Sequence, residues 1–167
     1  EKSIAYTNQI VKPDERKYLR SLPSHIRLEY QLNEEKFNLL MVHGSPRKIN
    51  EYLFVDREEK SLLRIIEQAD AHIMFFGHTH KPYHRILKDG DGNFRHAINI
   101  GSVGKPKDGD PRGCYVLITL DETFSLNQAG SFKVEFIRFE YDIEKAAKAV
   151  EESPLPNDFA DMLRKGY

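Results

Sequence analysis

The sequence has 167 residues, 40% of them apolar, which is enough to bury one substantial core and short enough to favour a single globular domain. Lys and Arg total 25 against 26 Asp and Glu, a formal net charge of -1, so the broad basic footprint of a nucleic-acid or anionic-membrane binder is excluded. No apolar run reaches the roughly 20 residues that span a bilayer, and any phosphate chemistry has to come from a local site.

The opening stretch EKSIAYTNQI has neither an initiator methionine nor the apolar core of a secretion signal. The expectation is a soluble, cytoplasmic protein from which something upstream is missing. PDERKYLRSLP predicts a short helix capped by Asp14 and stopped by Pro23. HIRLEYQL alternates, with Ile26, Leu28, Tyr30 and Leu32 on one face of a half-buried strand. After the turn NEEK, the run FNLLMVHG is apolar throughout, as in a strand covered on both faces, and it stops at His43-Gly44-Ser45-Pro46. DREEKSLLRIIEQAD predicts a helix with Asp56 as N-cap and Leu62, Leu63, Ile65 and Ile66 facing inward. The strand HIMFF follows and ends at Gly77-His78-Thr79-His80, where Gly77 is expected to let the backbone turn. Beyond it come a hairpin around Asp91-Gly92, the strand CYVLITLDE holding the single cysteine, Cys114, and the alternating strand FKVEFIRFEYD. Two helices, DIEKAAKAVEES and LPNDFADMLRKG, close the chain, the second with Gly166 as C-cap. Cys114 has no partner for a disulfide, lies in an apolar run and reads as a buried, inert thiol, in keeping with a reducing compartment.

Two strands, joined by a helix and both stopping at glycine-histidine loops, suggest that the loops share one edge of an α/β sheet, where ligands bind. Neutral imidazole is a common transition-metal ligand, and His78 and His80 project from one tight loop. Taken alone, an HxH pair leaves metal binding and a surface or packing role equally open. The ensemble says more. MVHGSP, FFGHTHKP and INIGSVGKPKDGDPRGCYVLI occur in this order at successive strand ends, and together they resemble the calcineurin-like metallophosphoesterase family, in particular its small bacterial and archaeal phosphodiesterase-like members. YTNQIVKPDERKYLRSLP is similar to the segment after that family's third motif, and EYDIEKAAKAVEESPLP to its C-terminal end.

The resemblance implies an α/β fold, the C-terminal part of an α/β/β/α sandwich of two β-sheets flanked by helices, with residues 1–167 forming one portion of a single domain. It implies two divalent metal ions, Mn²⁺ foremost, with Zn²⁺, Fe or Ni also suited to imidazole and carboxylate. In such a site a metal-bridging water attacks a phosphoester in line. Carried over, His43 and His78 are ligands of one metal and His80 of the other. Arg47 and Asn99 are offered as substrate-binding residues; read without the resemblance, they are a surface cation and a loop hydrogen-bond donor, Ser45 is a turn former, and Gly101-Ser102-Val103-Gly104 is a supporting backbone turn.

The family's first three motifs, Asp-x-His, Gly-Asp and Gly-Asn-His-Asp, belong before YTNQI. The chain is therefore expected to supply part of the ligand set, to carry no catalytic acid of its own, to be inactive alone, and to present its central strands as exposed sheet edges. Two dications about 3.5–4 Å apart need a carboxylate to offset their repulsion, and three imidazoles supply none. The expected partners are a small-molecule phosphoester and the rest of the same domain, without extended nucleic-acid or membrane contact. The competing class is a non-catalytic scaffold on the same fold, which has no physical need for the three histidines. Asp70-Ala71-His72 spells a metal-binding pattern but starts its strand, on the order of 20 Å from His78 along an extended chain. His25 reads as a loop residue, and His84 and His96 as partly exposed structural residues, His84 being also a candidate for supporting the loop ligands.

Overall fold

The protein is described by a computed structural model that covers residues 2–167. Two short helices come first, α1 (Lys2–Ile10) and α2 (Pro13–Ser21). The stretch from Ser3 to Ile10 has no apolar stripe at helical spacing, so α1 has no signature in the sequence pattern. In α2 the cap is Lys12, two residues before the expected Asp14: Pro13 takes the first helical position, and the Glu15 carboxylate accepts the Lys12 N–H at 2.7 Å.

The hairpin β1 (His25–Leu32) and β2 (Glu35–Val42) pairs His25 with Val42. Next come α3 (Glu59–Gln68), β3 (Ile73–Phe76) and the hairpin β4 (Tyr83–Lys88) and β5 (Phe94–Asn99). Asp56 is not the cap of α3. A turn closed by Arg57 N–H on the Phe54 carbonyl occupies that stretch, and Arg85 holds the Val55 and Arg57 carbonyls, so the helix starts only after Glu58. The five strands form one sheet in the order β1-β2-β3-β5-β4, with β2, β3 and β5 mutually parallel. The parallel strands therefore lie inside the sheet, not at its edges as expected from the sequence, because each hairpin contributes an antiparallel partner that takes an outer place.

The two-residue period of the strands sorts this sheet into two faces. Leu40, Met74 and Ala97 face Leu62, Ile65 and Ile66 of α3. Their neighbours Leu39, Ile73 and Ile98 face the other way, toward Val116, Ile118, Val134 and Phe136 of a second sheet, β6 (Gly113–Thr119) paired with β7 (Lys133–Phe139). Each fully buried Leu, Ile or Met among them stabilises the fold by about 1.5–3 kcal/mol. The chain ends in α4 (Ile143–Glu151) and α5 (Asp158–Lys165), tied by Arg164 to Glu144 and Glu151. Gly166 adopts φ 69° and returns its N–H to the Met162 carbonyl, the C-cap its position predicts. Two sheets flanked by helices are the architecture that the sequence resemblance implies. No helix among the described residues is long and apolar enough to cross a membrane.

Candidate metal centre

Because β2, β3 and β5 run parallel, their carboxyl ends open on one edge of the sheet. The ladder continues past the strands: Gly77 N–H donates to the His43 carbonyl and Ile100 N–H to the Phe76 carbonyl, each at 2.8 Å. This sets the His43 loop beside the His78 loop. His43 Nε2 lies 3.1 Å from His78 Nδ1, the rings meeting edge to face at 65°.

Gly77 is not what turns the chain. A Cβ placed there would meet nothing closer than 3.8 Å, and its φ is unexceptional; the turn is made by the histidines themselves, His78 at φ 64° and His80 at φ 61°. Left-handed backbone costs a non-glycine residue about 1–2 kcal/mol, and it persists only where surrounding contacts hold it. Asn99 and Thr79 provide those contacts. Asn99, fully buried, donates from Nδ2 to the Gly77 carbonyl at 3.1 Å and to Thr79 Oγ1 at 2.9 Å, and accepts Gly101 N–H at 3.0 Å. Thr79 Oγ1 in turn accepts Lys81 N–H. At the neighbouring loop only glycine fits at position 44, where a Cβ would stand 2.5 Å from the Ile49 carbonyl oxygen.

His80 is oriented from behind. Its Nδ1 lies 2.6 Å from the Lys105 carbonyl oxygen, which can only accept, so Nδ1 carries the proton and Nε2 keeps its lone pair in the neutral ring. Burial holds both His78 and His80 below the ordinary imidazole range, assisted by the His43 charge at His78 and by the Lys107 and Lys105 charges at His80. Both are thus neutral at pH 7, the form that ligates. The three histidines line an apolar cleft of about 830 Å³ between the two sheets, walled by Leu28, Tyr30, Met41, Phe75, Val116 and Ile118.

The nitrogens suit a borderline divalent cation. Two imidazole nitrogens bound tetrahedrally at 2.0–2.1 Å stand about 3.4 Å apart, close to the His43–His78 separation. His78 Nε2 is buried with no hydrogen-bond partner among the described residues, although the Asn50 carbonyl lies near the ring. The carboxylate part of a two-metal site is not here: among the described residues no three His, Cys, Asp or Glu side chains stand together to hold an ion. The structure therefore joins His43 to His78, while His80 shares the cleft without closing a three-ligand cluster.

A sequence profile for the calcineurin-like phosphoesterase superfamily domain matches residues 12–123. The chain belongs to this superfamily. An uncharacterized protein of Methanocaldococcus jannaschii is 30% identical over 98% of this chain and 65% of its own length. The metallophosphoesterase of Sphaerobacter thermophilus superposes with a TM-score of 0.70 at 26% identity, covering 98% of this chain and 67% of that protein. A hypothetical protein of Pyrococcus horikoshii OT3 shares the fold, with a TM-score of 0.72 at 21% identity over 97% of this chain and 58% of the other. The chain thus spans between about three fifths and two thirds of these relatives.

The other residues singled out from the sequence have different surroundings. Asn99 does not face the cleft; all its polar capacity goes to fastening the Gly77–Thr79 loop to Gly101, so it positions the site and offers no free group to a substrate. The Arg47 guanidinium is paired with Glu51, whose carboxyl it holds below the usual range, and Ser45 Oγ accepts the Arg47 and Lys48 N–H groups as a turn former does. His72 lies at the far end of β3, its Nδ1 accepting Asn38 N–H, and takes no part. His84 does not support the loop ligands: its Nε2 meets His96 Nδ1 at 2.9 Å beneath Phe132, and His96 is buried rather than partly exposed. Two contributions go unannounced by the motifs that contain them, those of the Thr79 hydroxyl and the Lys105 carbonyl, because both act on partners distant in sequence. Cys114 is buried, and burial raises its thiol, as expected of an inert cysteine.

Proposed function

We propose that the protein is a metal-dependent phosphoester hydrolase with a two-metal site, Mn²⁺ first among the candidate ions, in which His43, His78 and His80 are the nitrogen ligands supplied by this chain. The observation that carries this is the convergence of His43 Nε2 and His78 Nδ1 from two separate loops to 3.1 Å at the sheet edge. His80, with its tautomer set by Lys105, adds a third lone pair on the same cleft. A divalent ion bound there supplies Lewis acidity toward water and offsets charge on the phosphoryl group. Residues outside this sequence complete the ligand set with carboxylates, entering through the apolar cleft that the histidines rim. Supporting this are the relatives' greater length and the need of paired dications for anionic ligands. The substrate is a small phosphoester, and Arg47 contacts its phosphate once freed from Glu51. A cytoplasmic setting belongs to the same proposal, in keeping with the lone buried Cys114. A pure scaffold has no use for two histidines held in strained backbone.

The test is hydrolysis of bis(p-nitrophenyl) phosphate and p-nitrophenyl phosphate by the full-length protein with added Mn²⁺. Turnover that depends on the metal and falls at least 100-fold in His78→Ala, with an unchanged circular-dichroism spectrum, is the expected result. Metal-independent turnover, or full activity in that variant, overturns the assignment.

A further inference from the structure

Between the His43 loop and α3 lies an aromatic pair that the metal centre does not use. Resting on the assignment of His43, His78 and His80 as the reacting centre, we propose that Tyr52 and Phe54 form a stacking shelf for a planar aromatic group, an aryl ring or nucleobase, carried by the phosphoester substrate. The Tyr52 and Phe54 rings are parallel to within 3° at a centroid separation of 5.5 Å. Tyr52 also lies against His78, centroids 4.2 Å apart, so the pair extends outward from the metal-ligating ring itself.

The shelf is rigid and open at once. Both aromatic residues are 48% exposed, whereas Leu53 between them is fully buried beneath the sheet with Leu62 and Phe76. The Leu53 carbonyl accepts the Tyr83 hydroxyl at 2.8 Å, and Arg85 fastens the Val55 and Arg57 carbonyls. A segment pinned at its inward residue presents its two neighbours outward from an already ordered backbone, which lowers the entropic cost of stacking a ligand on them. The core is not what aligns these rings, since both project from it. What they adjoin is a histidine held with φ 64° at the end of β3. A ring stacked on Phe54 is two aromatic contacts from His78, a distance that a sugar or short linker spans to a phosphate.

Calorimetric titration of the Mn²⁺-loaded full-length protein with 4-phenylbutyl phosphate, a phenyl-bearing ester with a linker of that reach, and butyl phosphate reads the shelf as a ratio of affinities. The phenyl-bearing ester is expected to bind about tenfold more tightly, the scale of base–aromatic stacking. In Phe54→Ala that ratio falls toward one, and in Phe54→Trp it is kept. Adenosine 5′-phosphate against ribose 5-phosphate should behave in the same way if the ring is a nucleobase. A ratio of one in the parent protein, or an unchanged ratio in Phe54→Ala, overturns the shelf while leaving the hydrolase assignment intact. Failure of both phosphates to bind overturns the two together.

Discussion

At the scale of single residues, the site is built by imidazoles whose protonation is decided by their surroundings. His80 has its proton placed on Nδ1 by a carbonyl that cannot donate, and His78 is kept neutral by burial and by the neighbouring His43. A second histidine pair, unrelated to the site, has a consequence for stability. Burial holds His96 down at about 3 against an ordinary value of 6.5, and His84 is lowered for the same reason. Between those limits the unfolded chain binds a proton that the folded one refuses. The stabilisation is therefore complete above pH 6.5 and is lost progressively as the pH falls toward 3. Between pH 7 and pH 5 the protein is expected to lose about 2 kcal/mol from His96 alone, at about 1.4 kcal/mol per unit. Urea denaturation at the two pH values measures it, and His96→Gln should flatten the difference. Equal midpoints for the parent protein would show that His96 protonates freely in the folded state.

At the scale of elements, three parallel strands bring separate loops to one edge, and a single buried amide locks the loops together. Asn99, the last residue of β5, hydrogen-bonds to Gly77, Thr79 and Gly101. Asn99→Ala would leave the Gly101 N–H without its partner inside the protein and the Gly77 carbonyl with only the Thr79 N–H, at a cost of about 1–3 kcal/mol. It would also release His78 and His80 from left-handed backbone. Metal affinity should fall along with the melting temperature, and calorimetry of Mn²⁺ binding below that temperature separates the two effects. Affinity unchanged in a destabilised variant would mean that the histidine loop keeps its shape unaided. Element ends were harder to read than elements. Asp56 and Asp14 are plausible caps by residue type, yet a turn tied down by Arg85 and the Glu15 carboxylate accepting the Lys12 N–H moved the helix starts.

At the scale of the whole molecule, the apolar cleft between the five-stranded and two-stranded sheets opens on the three histidines without a carboxylate among the described residues. Under the proposed two-metal function, the carboxylate ligands come from beyond these residues. The full-length protein is expected to bind Mn²⁺ at least 100-fold more tightly than a polypeptide of residues 1–167, and to bind less of an apolar dye such as ANS. Calorimetry and dye fluorescence compare them directly. Equal metal affinity would show that three imidazoles suffice and that no outside carboxylate joins the site.

The sequence by itself determined the strands and the order of the glycine-histidine loops that carry His43, His78 and His80, because alternation and strand-end motifs are local patterns in the chain. It also excluded His72, since distance along an extended strand is fixed by the number of residues. Only the tertiary structure decided that the parallel strands are interior, that His78 and His80 rather than Gly77 make the turn, that Asn99 is a fastener and Arg47 is held by Glu51, and that Tyr52 leans on His78. Each of these depends on which groups meet across 4 to 35 positions of sequence, and a hydrogen bond or ring contact between them leaves no trace in composition or periodicity.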